Sequence, residues 1–125
     1  MHYLNMLSGL IMGIILFHTV FITRTVFNHL DEENTKVFLR AIFPKFFLLL
    51  AFIGLSYILV GGYVDPGFNK TFTVGCINTV LPSICYFIIP ITNSAKDNNE
   101  TKKFRLLHSI SVSLTVITLL TNILF

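Results

Sequence analysis

Two histidines and a run of hydroxyls stand where this chain is otherwise apolar. His18 sits in LFHTVF, and His108 opens HSISVSLTVITLLTN. In the second stretch His108, Ser111, Thr115, Thr118 and Asn122 are spaced 3, 4, 3, 4, which places them on one face of a helix over four turns. Ser113 and Thr121 lie off that face. A polar stripe on a greasy helix is costly against lipid, so it is expected to face a bundle interior or a wet cavity. Two readings stay open. As interhelical hydrogen-bond glue each contact contributes about 0.6 kcal/mol, and Ser and Thr can also bond back to their own helix. As a lining, the same face would serve a ligand, an ion or a proton path. Hydroxyls are cheap in membranes, which favours glue.

The histidine pair raises sharper chemistry, because intramembrane ionisable groups are functional candidates by default. Two His on different helices could ligate haem iron axially or bind copper or zinc. Their depths match poorly. His18 lies about 12 Å from the nearer end of its helix and His108 about 5 Å from the corresponding end of its own. No further ligand is evident at that level, so a neutral, hydrogen-bonded His is the plainer reading of both. No cofactor is expected, with haem as the alternative.

The elements that must position these groups are legible from composition. The chain has 125 residues, 54% hydrophobic and 12% charged, with 13 Phe, and a mean hydropathy of +0.76. Four runs carry no Asp, Glu, Lys or Arg: Leu4 to Thr23, Phe46 to Val64, Thr71 to Ala95 and Leu106 to Phe125. Each approaches or exceeds the roughly 20 helical residues that cross a hydrocarbon core. Lipid cannot hydrogen-bond the backbone, and no strand-like alternation is present, so the runs are read as helices. The expectation is an all-α membrane protein, an up-down four-transmembrane-helix bundle forming a single domain over 1–125, with helices at about 4–26, 36–62, 71–92 and 105–124. The first run has no cationic flank ahead of it and no A-x-A-like site, so it reads as a true span and not as a cleaved signal.

Of the nine Lys and Arg, four flank the first connection (Arg24, Lys36, Arg40, Lys45) and four the third (Lys96, Lys102, Lys103, Arg105); only Lys70 flanks the second. The positive-inside rule then predicts loops 27–40 and 93–104 in the cytoplasm and both termini outside, in an inner or plasma membrane. The net charge of +3 is thus a topology signal, and without a basic stripe interleaved with stacking aromatics no nucleic-acid partner is expected.

Local signals refine the picture. Asn34 and Thr35 are a candidate N-cap, followed by an interfacial amphipathic turn at Lys36–Arg40 and a kink or restart at Pro44. Asp65-Pro66-Gly67 punctuates a short outer turn, and the sequon at Asn69 hugs the membrane. Asn78 and Thr79 are placed to satisfy carbonyls freed by Pro82. Cys76 and Cys85 fall on opposite helix faces and read as small apolar fillers. Gly9-x-x-x-Gly13 permits close helix contact and a homo-oligomer. There is no phosphate loop, nucleophile elbow or zincin helix, so the chain reads as non-enzymatic.

Three stretches, LSGLIMGIILFHTVFITRTVF (7–27), IFPKFFLLLAFIGLSYIL (42–59) and KFRLLHSISVSLTVITLLTN (103–122), resemble the transmembrane protein 205-like family, which includes the bacterial domain of unknown function 4149. The second is similar to its Phe-Pro-x-aromatic-Phe signature and the third to its Phe-x-x-x-His-x-x-Ser motif. The Pro90-Ile91-Thr92 end of the third helix also fits, with Ile91 where many members carry Arg. The resemblance implies four membrane helices and no established activity. It picks out Phe43, Pro44, Phe47, Pro90, Phe104, His108 and Ser111. The leading functional expectation is a polar cavity between helices 1, 2 and 4 for a small solute or lipid headgroup. His108, Ser111, Thr115, Arg24, Lys45 and Arg105 are its candidate residues. The alternatives are a haem or metal protein using His18 and His108, and a structural subunit of a membrane complex.

Overall fold

In a computed structural model, residues 2–64, 67 and 69–125 are described. Four helices account for almost all of them: α1 (His2–His29), α2 (Glu32–Val64), α3 (Asn69–Asp97) and α4 (Thr101–Leu124), each long and apolar enough to cross a membrane. The protein is an all-α four-helix bundle, with no strand among the described residues. Asp65 and Pro66 of the expected outer turn lie outside the described residues. The helices form a ring in which α2 and α3 pack most closely, α4 lies against α3, and α1 closes against α2 and α4. Side chains such as Phe52 and Phe87 are about 70% exposed (67% and 72%). A surface this apolar is stable only when lipid covers it, so the protein is integral to a membrane.

Helix ends follow local chemistry and correct the expected boundaries. α2 starts at Glu32, four residues before the expected start at Lys36. Asp31 and not Asn34 is its cap: the Asp31 Oδ1 accepts the Asn34 backbone N–H at 2.7 Å, and Glu32 and Glu33 then favour the positive end of the helix dipole. α3 and α4 both extend into the expected loop 93–104, leaving only 98–100 between them. There Asn99 adopts a left-handed φ of 56°, the Glu100 N–H reaches the Ala95 carbonyl at 2.9 Å, and the Asn99 N–H reaches that of Lys96 at 3.2 Å. This is a Schellman stop with asparagine in the position glycine usually takes. Helix also continues unbroken through Pro44, Pro82 and Pro90.

The core joins Ile11 and Ile15 of α1 to Phe46, Phe47, Leu50 and Ile53 of α2 and Cys85 of α3. Cys85 is buried, Cys76 is half-buried, and both are free thiols. The α2–α3 contact depends on missing side chains. A Cβ on Gly54 would collide with the backbone of Asn78 and Thr79, and one on Gly75 would collide with Ile58. The Asn78 carbonyl is the one that Pro82 leaves without its helical donor, and it packs into the space Gly54 leaves. The Asn78 and Thr79 side chains do other work than expected. Thr79 Oγ1 donates to its own helix at the Gly75 carbonyl, 2.8 Å. The Asn78 amide crosses to α4, donating to Asn122 Oδ1 at 3.1 Å and accepting from Asn122 Nδ2 at 2.7 Å.

Gly54→Ala is therefore expected to destabilise the bundle by about 1–3 kcal/mol through overpacking. Gly9→Ala, where a Cβ meets nothing within 4 Å, is expected to be neutral. Reversible unfolding in mixed detergent micelles checks both, and equal effects would contradict the close α2–α3 approach.

Candidate functional site: a groove at the basic end

Halfway along α1 the helix changes register. Phe17–Ile22 form a π turn, in which the Thr23 N–H bonds back to the His18 carbonyl and Thr23 Oγ1 donates to the same oxygen at 3.0 Å. A π turn inserts an extra residue and re-aims the side chains beside it. Before it, the His2–Leu16 half of α1 packs on both α2 and α4; beyond it, α1 keeps backbone contact with α2 alone. The gap that opens between α1 and α4 is a groove of about 800 Å³ at the end of the bundle that carries eight of the nine cations. This size suits a small-molecule site.

Its walls are chiefly apolar, with Phe43, Phe46 and Phe47 of α2 on one side and Val112, Val116 and Leu119 of α4 on the other. Val112 and Val116 are nearly half exposed (47% and 45%), so the groove opens sideways, on the surface that lipid covers. Polar groups reach it in two zones. At the rim stand Glu32, Lys36, Arg40, Asn93 and Lys96; deeper in are His18, Ser111 and Thr115.

The rim is organised by one carboxylate. Asp97 receives Arg40 in a two-pronged contact at 2.7 and 3.0 Å and Lys36 at 3.1 Å. Arg40 also donates to the Asn93 carbonyl at 3.3 Å. These contacts tie the start of α2 to the end of α3. Asp97 lies past the apolar stretch of α3, and hydrogen bonds from Arg40 and Lys36 hold its carboxyl down at about 2. Lys96 instead lies over the Phe104 ring, 4.8 Å from its centroid. A second recess of about 640 Å³ shares Glu32, Lys36 and Lys96 with the groove and leads to Asp31 and Asn99 in the polar connections.

The stripe on α4 divides. Thr118 and Asn122 are buried in the bundle, and Asn122 carries the amide pair with Asn78 while donating to the Thr118 carbonyl at 2.8 Å. Thr115 and Thr118 donate to carbonyls of their own helix at 2.8 and 2.9 Å. Only His108, Ser111 and Thr115 line the groove. His108 is exposed and stacks on Phe104 with centroids 5.8 Å apart. Ser111 also offers its carbonyl to Cys85 Sγ at 3.7 Å.

Arg24, Lys45 and Arg105, expected at the cavity, are exposed and absent from its lining. Sequence spacing alone assigned them to the rim, but their helix faces turn outward. The cations that do line it, Lys36, Arg40 and Lys96, lie on turns of α2 and α3 taken for interface or loop. Of the resemblance positions, Phe43, Phe47, Phe104, His108 and Ser111 line the groove; Pro44 and Pro90 do not.

His18 is the residue the sequence undervalued. It is 4% exposed and held against Phe46 and Phe43, with ring centroids 4.1 and 4.9 Å away. Neither ring nitrogen has a hydrogen-bond partner among the described residues. Both histidines border the one groove, but among the described residues no group of three or more His, Cys, Asp or Glu is placed to hold a metal ion.

The family profile described as Domain of unknown function (DUF4149) matches residues 6–101. The chain belongs to this family. The match covers α1 from Met6, all of α2 and α3 and only the first residue of α4, so within this DUF4149 protein the π turn, His18, the Phe43–Phe47 wall and the Asp97 clasp all fall inside the family region. His108 and Ser111 fall beyond it. No curated protein and no solved structure matches the chain.

The clasp predicts a pH dependence. Because the folded carboxyl sits below its unfolded value of about 3.9, its stabilising contribution is present above that value and is lost as pH falls towards 2. Detergent unfolding midpoints measured from pH 5 to pH 2 are expected to drop for the native sequence. Asp97→Asn is expected to lack this component, and an identical drop in both proteins would assign the acid sensitivity elsewhere.

Proposed function

We propose that this protein is a non-enzymatic membrane protein that binds a membrane-soluble amphiphile in the groove between α1 and α4. The apolar part lies along Phe46, Phe47, Val112 and Val116, and the polar end points towards the basic rim. The observation that carries this reading is the groove's two-zone lining, chiefly apolar within the span and charged where the span ends, with Lys36, Arg40 and Lys96 outnumbering Glu32, together with its sideways opening. A freely diffusing polar solute would find few partners along such walls, whereas an amphiphile enters from the bilayer without leaving apolar surroundings. Hence lipid-like molecules fit better than small hydrophilic solutes. The charge distribution supports a cytoplasmic basic end with both termini outside, and in a bacterial cell this means the inner membrane. The wider likeness to transmembrane protein 205-like chains belongs with this reading, since it adds Phe104, His108 and Ser111 at the groove. The outward Gly9–Gly13 face is compatible with self-association.

Native mass spectrometry from lipid nanodiscs tests the reading. The unaltered chain is expected to retain a lipid adduct in a fixed ratio. Val112→Trp with Val116→Trp, which fills the groove from its open side, is expected to lose that adduct with little change in thermal stability. Retention of the adduct by the filled variant would refute groove binding.

A further inference from the structure

The groove holds a polar group that its walls do not answer. His18 is 96% buried by its 4% exposure, it lines the groove, and both of its ring nitrogens lack a hydrogen-bond partner among the described residues. A neutral imidazole has one N–H to give and one lone pair to fill, and leaving both unanswered inside an apolar wall costs stability. Other intramembrane side chains in this protein avoid that cost. The hydroxyls of Thr79, Ser83, Thr115, Thr118 and Thr121 all donate to carbonyls four residues back. Asn78 and Asn122 answer each other.

Depth limits what could answer His18. It packs against Phe43 and Phe46, three and six residues beyond the rim residue Arg40, so it lies about 5–9 Å deeper than the rim cations. A phosphate or carboxylate would remain at the level of Lys36, Arg40 and Lys96, because carrying its charge down among phenylalanines is costly. The group that reaches His18 is therefore uncharged. The surroundings also favour a flat one. Phe43, Phe46 and Phe47 form a mutually packed set, with centroids 5.0 Å apart for Phe46–Phe47 and 6.1 Å for the nearly parallel Phe43–Phe47 pair. Both ring nitrogens lie just beneath the groove surface, so an occupant meets one of them only with a shift of the surrounding side chains; the wall then offers stacking and a single directed hydrogen bond.

Resting on the reading that the groove binds an amphiphile, we infer that its occupant is a lipid-soluble quinone or quinol, whose ring oxygen pairs with His18 while the ring packs on Phe43 and Phe46. His18 is a binding residue in this scheme, and no electron-transfer step is part of it. A quinone carbonyl accepts the imidazole N–H; a quinol hydroxyl can donate to the other nitrogen.

The test uses the full chain in detergent and equilibrium dialysis of three probes with the same tail: a decyl-substituted benzoquinone, decylbenzene and decyl phosphate. The unaltered protein is expected to bind the quinone at least about tenfold tighter than decylbenzene, the scale of one directed hydrogen bond. His18→Phe keeps a ring against Phe43 and Phe46 but has no nitrogen, and it is expected to reduce quinone binding to the decylbenzene level. His18→Gln, which retains a donor and an acceptor, is expected to recover part of the difference. Lipid retention in nanodiscs is expected to be unchanged by His18→Phe. Equal binding of quinone and decylbenzene by the unaltered chain, tightest binding of decyl phosphate, or quinone binding indifferent to His18→Phe would each overturn the inference. If His18→Phe fails to fold, the comparison of probes on the unaltered chain decides alone. Lipid retention without quinone preference defeats only this inference, whereas loss of both defeats the groove reading as well.

Discussion

A bilayer interior accepts and donates no hydrogen bonds, and the internal arrangement of this protein follows from that constraint. Every polar atom within the four spans must be answered by the chain or by something the chain holds. Most are answered locally, by hydroxyls that return to carbonyls of the preceding turn. The carbonyl that the π turn re-aims at His18 receives two donors from one residue, the N–H and the hydroxyl of Thr23. The carbonyl that Pro82 strips of its partner is packed into the space at Gly54. Among the described residues the polarity of α4 acts as glue where Asn78 and Asn122 pair across the helices and where the Cys85 thiol meets the Ser111 carbonyl. His18 stands out against this background because, among the described residues, no other buried side-chain nitrogen or oxygen lacks a partner.

The same constraint explains why the bundle is tight on one side and open on the other. Between helices in lipid there is little hydrophobic drive, so contact depends on close packing and a few directed bonds. α2 and α3 have both: glycines that admit the neighbouring backbone, and the Asp97 clasp where the spans end. α1 has neither at the basic end. Its glycines face outward; within the π turn His18 packs on Phe43 and Phe46, and beyond the turn Val26 is buried where the helix meets α2.

The number, order and apolar extent of the helices were legible in the sequence, because a charge-free run of span length has few other solutions in lipid. The helix ends were not. Asp31 as cap and Asn99 as a left-handed stop depend on φ and on one or two hydrogen bonds, and polar residues such as Asn93–Asp97 carry helix as readily as loop. The 3, 4, 3, 4 spacing on α4 correctly put five residues on one face, but spacing cannot tell where along that face the neighbouring helix departs. This is why His108, Ser111 and Thr115 border a groove while Thr118 and Asn122 are buried. Arg24, Lys45 and Arg105 were grouped by level along the membrane normal, which ignores the direction in which each points. His18 was undervalued for a related reason: burial without a partner is a property of the packed chain, and the π turn that produces it leaves no signature in LFHTVF.

The distribution of fastenings also indicates which seam gives way. The ends of α2 and α3 are held by charge at the rim, and α3 and α4 are held by the amide pair towards the opposite end. Towards the rim, α4 is joined to α3 by the Cys85–Ser111 contact and by Lys96 over Phe104, and α1 has no backbone contact with α4 there. Among the described residues no ion pair and no amide pair spans the α1–α4 seam at the basic end, so widening it breaks none. Such widening moves phenylalanine and valine side chains against lipid tails, an exchange of one apolar contact for another. The π turn, where the backbone hydrogen bonds change pattern, lies on the same seam. The least fastened seam, the re-aimed helix and the unanswered histidine thus coincide at one place in the fold, which is where the proposed amphiphile would enter from the membrane.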